Sequence, residues 1–198
     1  MTPMTTPPVP SDIDLLRQMR AGAAPAFAAL YRRHQGPLFR FAVLRCGSAD
    51  TAADIVQEVF MGLLSGRFRF DPLRGQLQHF LFGVARNLVL KHEAPRQRQV
   101  ALAGTDDDQA ELELESDEPG PLARLLDNEA AEAVRRALAL LAPHYRDAVI
   151  LYEMHDLSYA EIADVCQVDI GTVRSRLSRG RAALARRLAA FNPISSAA

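Results

Sequence analysis

Tryptophan is missing from these 198 residues, cysteine occurs twice and tyrosine four times. Cys46 and Cys166 lie far apart, each in a stretch whose pattern calls for an apolar side chain. Buried free thiols are therefore expected, rather than a disulfide or a metal pair. The five histidines show neither HxxxH nor Cys/His ligand spacing, so no zinc site, and no cofactor of any kind, is expected. No apolar run approaches the roughly 20 residues of a membrane span. The opening MTPMTTPPVP has neither the basic start nor the apolar core of a secretion signal. These absences predict a soluble cytoplasmic protein without membrane insertion. Alternating apolar and polar runs are lacking too, which leaves no signal for strands.

What is present is nearly continuous helical periodicity, which predicts an all-α chain. Helices are expected over residues 12 to 21, 25 to 45 (with Pro37 as a potential kink), 51 to 64 and 76 to 92, then 126 to 141 and 144 to 153, followed by a closing pair. The formal charge of −1 conceals a segregation. Residues 11 to 100 carry thirteen Lys and Arg against seven Asp and Glu, residues 101 to 121 carry eight acids and no base, and the remainder is close to neutral. The acidic stretch TDDDQAELELESDEPGP has too many like charges and too few apolar groups to fold alone. The expected organisation is a tail (1 to 10), a basic helical domain (11 to 98), an acidic flexible linker (99 to 122), a second helical domain (123 to 192) and a short tail (193 to 198).

The most informative segment is LSYAEIADVCQVDIGTVRSRLSRGRAALARRL, from Leu157 to Leu188. Ser158 is a good N-cap, and Ile162, Val165 and Cys166 recur at helical spacing behind it, which predicts a short helix over 159 to 166. Gln167 and Val168 form a turn. Asp169 can cap the next helix, whose inward stripe is Val173, Leu177, Gly180, Leu184 and Leu188. Six arginines and no acid lie between Ile170 and Leu188. A surface serving solubility alone mixes signs, whereas a purely cationic one repels itself until an anion arrives. The pattern is a helix-turn-helix whose second helix faces nucleic acid. Candidate DNA contacts are Gly171 and Thr172, small enough for close approach, with Arg174, Ser175, Arg176, Ser178 and Arg179 beside them.

ADIVQEVF (Ala53 to Phe60) and FLFGVARNLVLKH (Phe80 to His92), combined with ALLAPHYRDAVILYEMHDLSYAEIADVCQVDIGTVRSRLSRGR, resemble the extracytoplasmic-function (ECF) sigma factors of bacterial RNA polymerase. The resemblance spans residues 11 to 190. It implies an RNA polymerase sigma factor rather than an enzyme, one that acts on the nucleoid in promoter recognition, DNA melting and transcription initiation. In family terms the first domain is region 2 and the second is region 4. Asp54, Gln57, Glu58 and Phe60 are then the contacts to the clamp helices of the core polymerase's largest subunit, while the second domain meets the flap of the second-largest subunit. Arg86, Asn87 and Lys91, in the ARNxxxK positions, read and open the downstream promoter element together with Arg67 and Arg69. Phe68, Phe70, Phe80 and Phe82 supply rings on which extruded bases could stack, although the period of Phe80 and Phe82 also suits the core. A cognate anti-sigma factor joins core polymerase and promoter DNA among the implied partners. The chain departs from the family at Phe80, where tryptophan is common, at Tyr152, where many relatives carry arginine, and at Gln167, a turn position often held by glycine.

A stand-alone regulator binding duplex DNA as a dimer through the same motif is the principal alternative. It would need a receiver, ligand pocket or dimerisation helix upstream, where this chain offers a basic, aromatic-rich array. An enzyme is disfavoured because Asp106 to Asp108, the densest acids, sit in the presumed tether, and the segment from Gly66 to Gly75 contains no phosphate-binding GK[ST].

Overall fold

The computed structural model describes residues 9–102 and 129–191, with side chains described outside 95–102, 129–130 and 190–191. All regular structure among these residues is helical: α1 (Asp12–Arg20), α2 (Ala24–Cys46), α3 (Ala49–Leu64), a single 3-10 turn (Pro72–Arg74), α4 (Leu77–Leu102), α5 (Glu129–Ala139), α6 (Pro143–Glu153), α7 (Tyr159–Cys166) and α8 (Ile170–Phe191). The expected start of α5 at 126 and most of the acidic segment fall outside the described residues.

Local chemistry sets most boundaries. Ser48 accepts the Thr51 N–H at 3.2 Å, and this cap starts α3 at Ala49, two residues before the expected Thr51. Pro143 occupies the first turn of α6, where its missing N–H has no helical partner to lose. Pro37 does not end α2, which runs through it to Gly47, a left-handed C-cap with φ 77°. The continuation of α4 to Leu102, through Pro95 and past the domain boundary expected at 98, is the largest difference in extent. A proline at 95 removes the donor for the Lys91 carbonyl, and Lys91 is exposed, so water can serve that carbonyl instead.

In the first block, Leu30, Leu38, Phe41, Ile55, Val59, Phe60, Leu81 and Phe82 form a core between α2, α3 and α4. In the second, Leu138, Val149, Ile150, Ile162, Val173 and Leu177 close α5 to α8 around one another. The two blocks do not stand apart. The first-block helix α2 packs on α5 and α6, α4 packs on α7, and the buried apolar side chains form one continuous cluster. At the crossing of α4 and α7, a Cβ at Gly83 would sit only 3.8 Å from the Val165 carbonyl oxygen. The His155 ring lies 4.6 Å from Phe82 and 6.3 Å from Phe41, a wedge from the second block set into the first.

Candidate nucleic-acid interface

The helix-turn-helix is fixed from both sides of its turn. Ser158 and Glu161 form a reciprocal cap on α7: the Glu161 N–H donates to Ser158 Oγ at 3.3 Å, and the Ser158 N–H donates to Glu161 Oε2 at 2.7 Å. That N–H, together with the Ser158 hydroxyl, holds the Glu161 carboxyl below its ordinary range. Gln167 then adopts φ 56°, ψ 50°, the left-handed conformation that glycine enters at lower cost. On α8, Thr172 gives both its Oγ1 hydrogen and its backbone N–H to the Asp169 carboxylate, at 2.7 and 2.8 Å. These bonds lower the Asp169 pKa and fix the entry angle of the helix.

Inward, Val173 and Leu177 are buried. At Gly180 an added Cβ would meet Val149 Cγ2 at 2.8 Å, so only glycine lets α8 lie this close to α6. Outward, Gly171, Arg174, Ser175, Ser178 and Arg179 are all exposed. The last four recur at the one- and four-residue steps that align side chains along one helix face.

Other α8 arginines, among them Arg176 and Arg181, behave differently. Arg176 is half-buried, its Nη1 enclosed without a hydrogen-bond partner among the described residues, and its charge is felt on α6 and α7. On α6, His144 is held below its usual pKa by burial and then by the Arg176 charge. Arg176 is therefore separated from the outward row expected to contain it, because the inward stripe is wide enough to take its stem. Arg181 stacks 4.6 Å over the Tyr152 ring and donates to Glu153 Oε1 at 2.6 Å, which ties it to α6.

In the first block, Asp54 and Gln57 are exposed on α3 and Glu58 is half-buried, donated to by Arg67 Nη2 at 2.9 Å. Phe60 does not belong with them. It is buried, with Tyr31 at 4.8 Å and Phe27 edge-on at 6.2 Å, because its position falls on the core stripe of Ile55, Val56 and Val59. The exposed face instead continues through Met61 and Leu64, which are 54% and 48% accessible. Their signal in the sequence is apolar residues one and two turns beyond the polar group, off the core stripe.

The expected stacking platform is also rearranged. Phe82 and Phe70 are buried, Phe80 is half-buried 5.6 Å from Phe70, and Phe68 lies on α3 at Gly62, where a Cβ would penetrate its ring at 2.2 Å. Arg67 stacks on Phe68 at 4.5 Å. Arg69, Asn87 and Lys91 are exposed, the latter two one turn apart on α4.

Arg86, their neighbour, points elsewhere. Its Nε donates to Asp147 Oδ2 at 2.7 Å, across the contact between the blocks. Arg45 Nε donates to the other oxygen of Asp147 at 2.5 Å, and its two terminal nitrogens donate to the Glu93 carboxylate at 2.5 and 2.9 Å. Arg146 completes the cluster by donating to the Arg45 carbonyl at 2.7 Å, the Leu141 carbonyl at 3.0 Å and the Ala139 carbonyl. Burial would lower the pKa of Arg45, but Asp147 and Glu93 outweigh it and the value is raised. For Arg146 burial prevails, reinforced by the Arg45 charge, and its pKa falls to about 10. Arg45, Glu93, Arg146 and Asp147 were absent from the expected site. A charge on an apolar stripe, as Arg45 is after Leu38, Phe41 and Ala42, is the one local sign of such burial.

A helix-turn-helix with an arginine and serine face, carried beside a second helical block, defines a DNA-binding transcription protein. Residues 30–99 match the family model described as Sigma-70 region 2, and residues 131–184 match Sigma-70, region 4. The chain is 34% identical over 185 residues to the ECF RNA polymerase sigma factor SigM of Mycobacterium tuberculosis, covering 92% of this chain and 87% of that protein. It is 31% identical over 159 residues to the corresponding SigE of Mycolicibacterium smegmatis, covering 80% of this chain and 60% of that relative. Among solved structures it resembles the sigma factor RpoE in complex with the anti-sigma factor NepR from Bartonella quintana, with a TM-score of 0.64, 26% identity and coverage of 82% and 96% of the two chains. The chain belongs to the ECF sigma factors: it is an RNA polymerase sigma factor, directing promoter recognition. No helix among the described residues is long and apolar enough to cross a membrane.

Proposed function

We propose that the work of this sigma factor is divided between the two faces described above, without enzymatic chemistry and in the cytoplasm, on the nucleoid. The outward row Arg174, Ser175, Ser178 and Arg179, with Gly171 at the helix start, reads the upstream promoter element. This row is the observation that carries the reading, because it is cationic, uniformly exposed and fixed in angle by the Asp169 cap. Thr172 serves the cap and Arg176 supports the face from behind.

Asp54, Gln57, Glu58, Met61 and Leu64 form the docking face for core polymerase, polar at one end and apolar at the other. Asn87 can donate and accept at a base edge while Lys91, Arg69 and Arg67 hold the released strand, with Arg86 joining them when it leaves Asp147. An anti-sigma factor, as in the complex of the related RpoE, is the fitting antagonist.

The test is promoter-dependent run-off transcription with purified core polymerase, comparing wild type with Arg174→Ala/Arg179→Ala and with Asn87→Ala. The first variant should lose promoter binding with a shallower salt dependence. The second should retain duplex binding but form open complexes poorly, and a pre-opened bubble template should rescue it. Duplex promoter binding by the free chain as a dimer would favour a stand-alone regulator instead.

A further inference from the structure

The contact between the two blocks is ionic at its centre. Two guanidinium groups, Arg45 and Arg86, share two carboxylates, Asp147 and Glu93, while a third, Arg146, draws its partners from carbonyls near the C-terminal ends of α2 and α5. Asp147 is the shared element, with one oxygen on Arg45 and the other on Arg86. A second, more exposed pair joins the blocks at the edge, His79 Nε2 to Glu161 Oε1 at 3.5 Å. Apolar contacts add to these, notably the His155 wedge between Phe41 and Phe82.

An interface meant to be permanent gains more from well-packed apolar groups than from buried ions, whose desolvation offsets most of their attraction. This interface concentrates its charges at one carboxylate and leaves one cation in excess. Asp147 therefore meets Arg86 as an anionic ligand would, and an incoming nucleic-acid phosphate offers Arg86 the same charge-assisted acceptor.

We propose that the Arg45–Glu93–Arg86–Asp147 cluster is a clasp that fastens region 4 onto region 2 in the free chain, so that Arg86 becomes available to nucleic acid only after Asp147 releases it. The value of Arg86 once released rests on the reading of α4 given under the proposed function; the closure itself does not. While the clasp is shut, α7 lies against α4, and Asn87 and Lys91 face solvent beside an Arg86 that does not.

The experiment uses the full chain without polymerase. Small-angle scattering and circular dichroism are recorded for wild type, Asp147→Asn, Arg86→Gln and, as a charge-loss control remote from the clasp, Arg17→Gln. Binding to a fluorescein-labelled, mixed-sequence single strand of roughly 20 nucleotides is then measured at low salt. Wild type and Arg17→Gln should share one compact radius of gyration. Asp147→Asn should expand by about a fifth with its helical signal retained, and Arg86→Gln by less. Asp147→Asn should also bind the strand at least about threefold more tightly, because Arg86 is set free.

Equal radii for wild type and both clasp variants would overturn the clasp. If Asp147→Asn loses its helical signal, Arg86→Gln decides alone, since it leaves the Arg45–Asp147 pair in place: expansion supports the clasp and an unchanged radius overturns it. Expansion of Asp147→Asn without tighter strand binding supports the clasp while removing Arg86 from the proposed DNA contacts.

Discussion

The arginines of α8 and those between the blocks are the same chemical group under opposite conditions. On α8, Arg174 and Arg179 stand in water, where high dielectric makes isolated charges cheap and their value depends on an external anion. Between the blocks, Arg45 and Arg146 are buried, and each survives only because carboxylates or carbonyl oxygens surround it. Position, not residue type, decides whether an arginine is open to an external anion or holds the protein together. Arg86 lies at the border of the two conditions: a DNA candidate by motif, structural by contact.

The sharpest way to break this contrast is to remove a buried anion. Asp147→Ala leaves Arg45 and Arg86 without a shared partner and should lower stability by about 3 to 5 kcal/mol in urea denaturation. A loss below about 1 kcal/mol would mean that the cluster is solvated after all. Acid probes the same contact from its apolar side. Burial, then repulsion from Arg40, pushes the His155 pKa down from 6.5 to about 4. Because the folded value lies below the unfolded one, this contribution is complete above pH 6.5 and drains away as pH falls toward 4. The loss there reaches about 3 kcal/mol at about 1.4 kcal/mol per unit. Denaturation midpoints across that window should fall in wild type and fall much less in His155→Phe; parallel curves would refute the assignment.

A smaller effect is expected in the turn. Gln167→Gly relieves a left-handed residue and should raise thermal stability by up to about 1 kcal/mol, against the entropy glycine adds to the unfolded chain. Smallest of all, Arg174→Ala should change stability by less than about 0.5 kcal/mol, while the salt dependence of promoter binding by the holoenzyme shallows by about one if that arginine meets a phosphate. A marked stability loss would place Arg174 with the buried group.

The helix-turn-helix was legible in the sequence nearly to the residue. Its determinants are local: the Ser158 cap, the left-handed position at Gln167 and the Asp169 cap all act within three or four residues. Which α8 arginines face outward was half legible, since a helical wheel places Arg176 near the inward stripe but does not say that its guanidinium is enclosed. Phe60 is buried although it stands among the docking residues of the motif, because a motif shared with a family mixes the residues that hold a helix in place with those it displays. The union of the blocks was not legible at all. Arg45 and Asp147 are 102 residues apart, and no periodicity reports a pairing across that separation.

The bidentate hold of Glu93 on Arg45 bears on how the chain is made. Synthesis delivers the first block well before residues 146 and 147 exist, and domains tend to fold as they emerge. During that interval Arg45 would be a cation facing an unfinished surface. Glu93, on the last helix of the same block, is already there to receive both terminal nitrogens. Only the Arg45 Nε and the Arg45 carbonyl must wait for Asp147 and Arg146. A first block that folded first would thus hold two of the three Arg45 guanidinium bonds within itself, leaving the later half to complete the third.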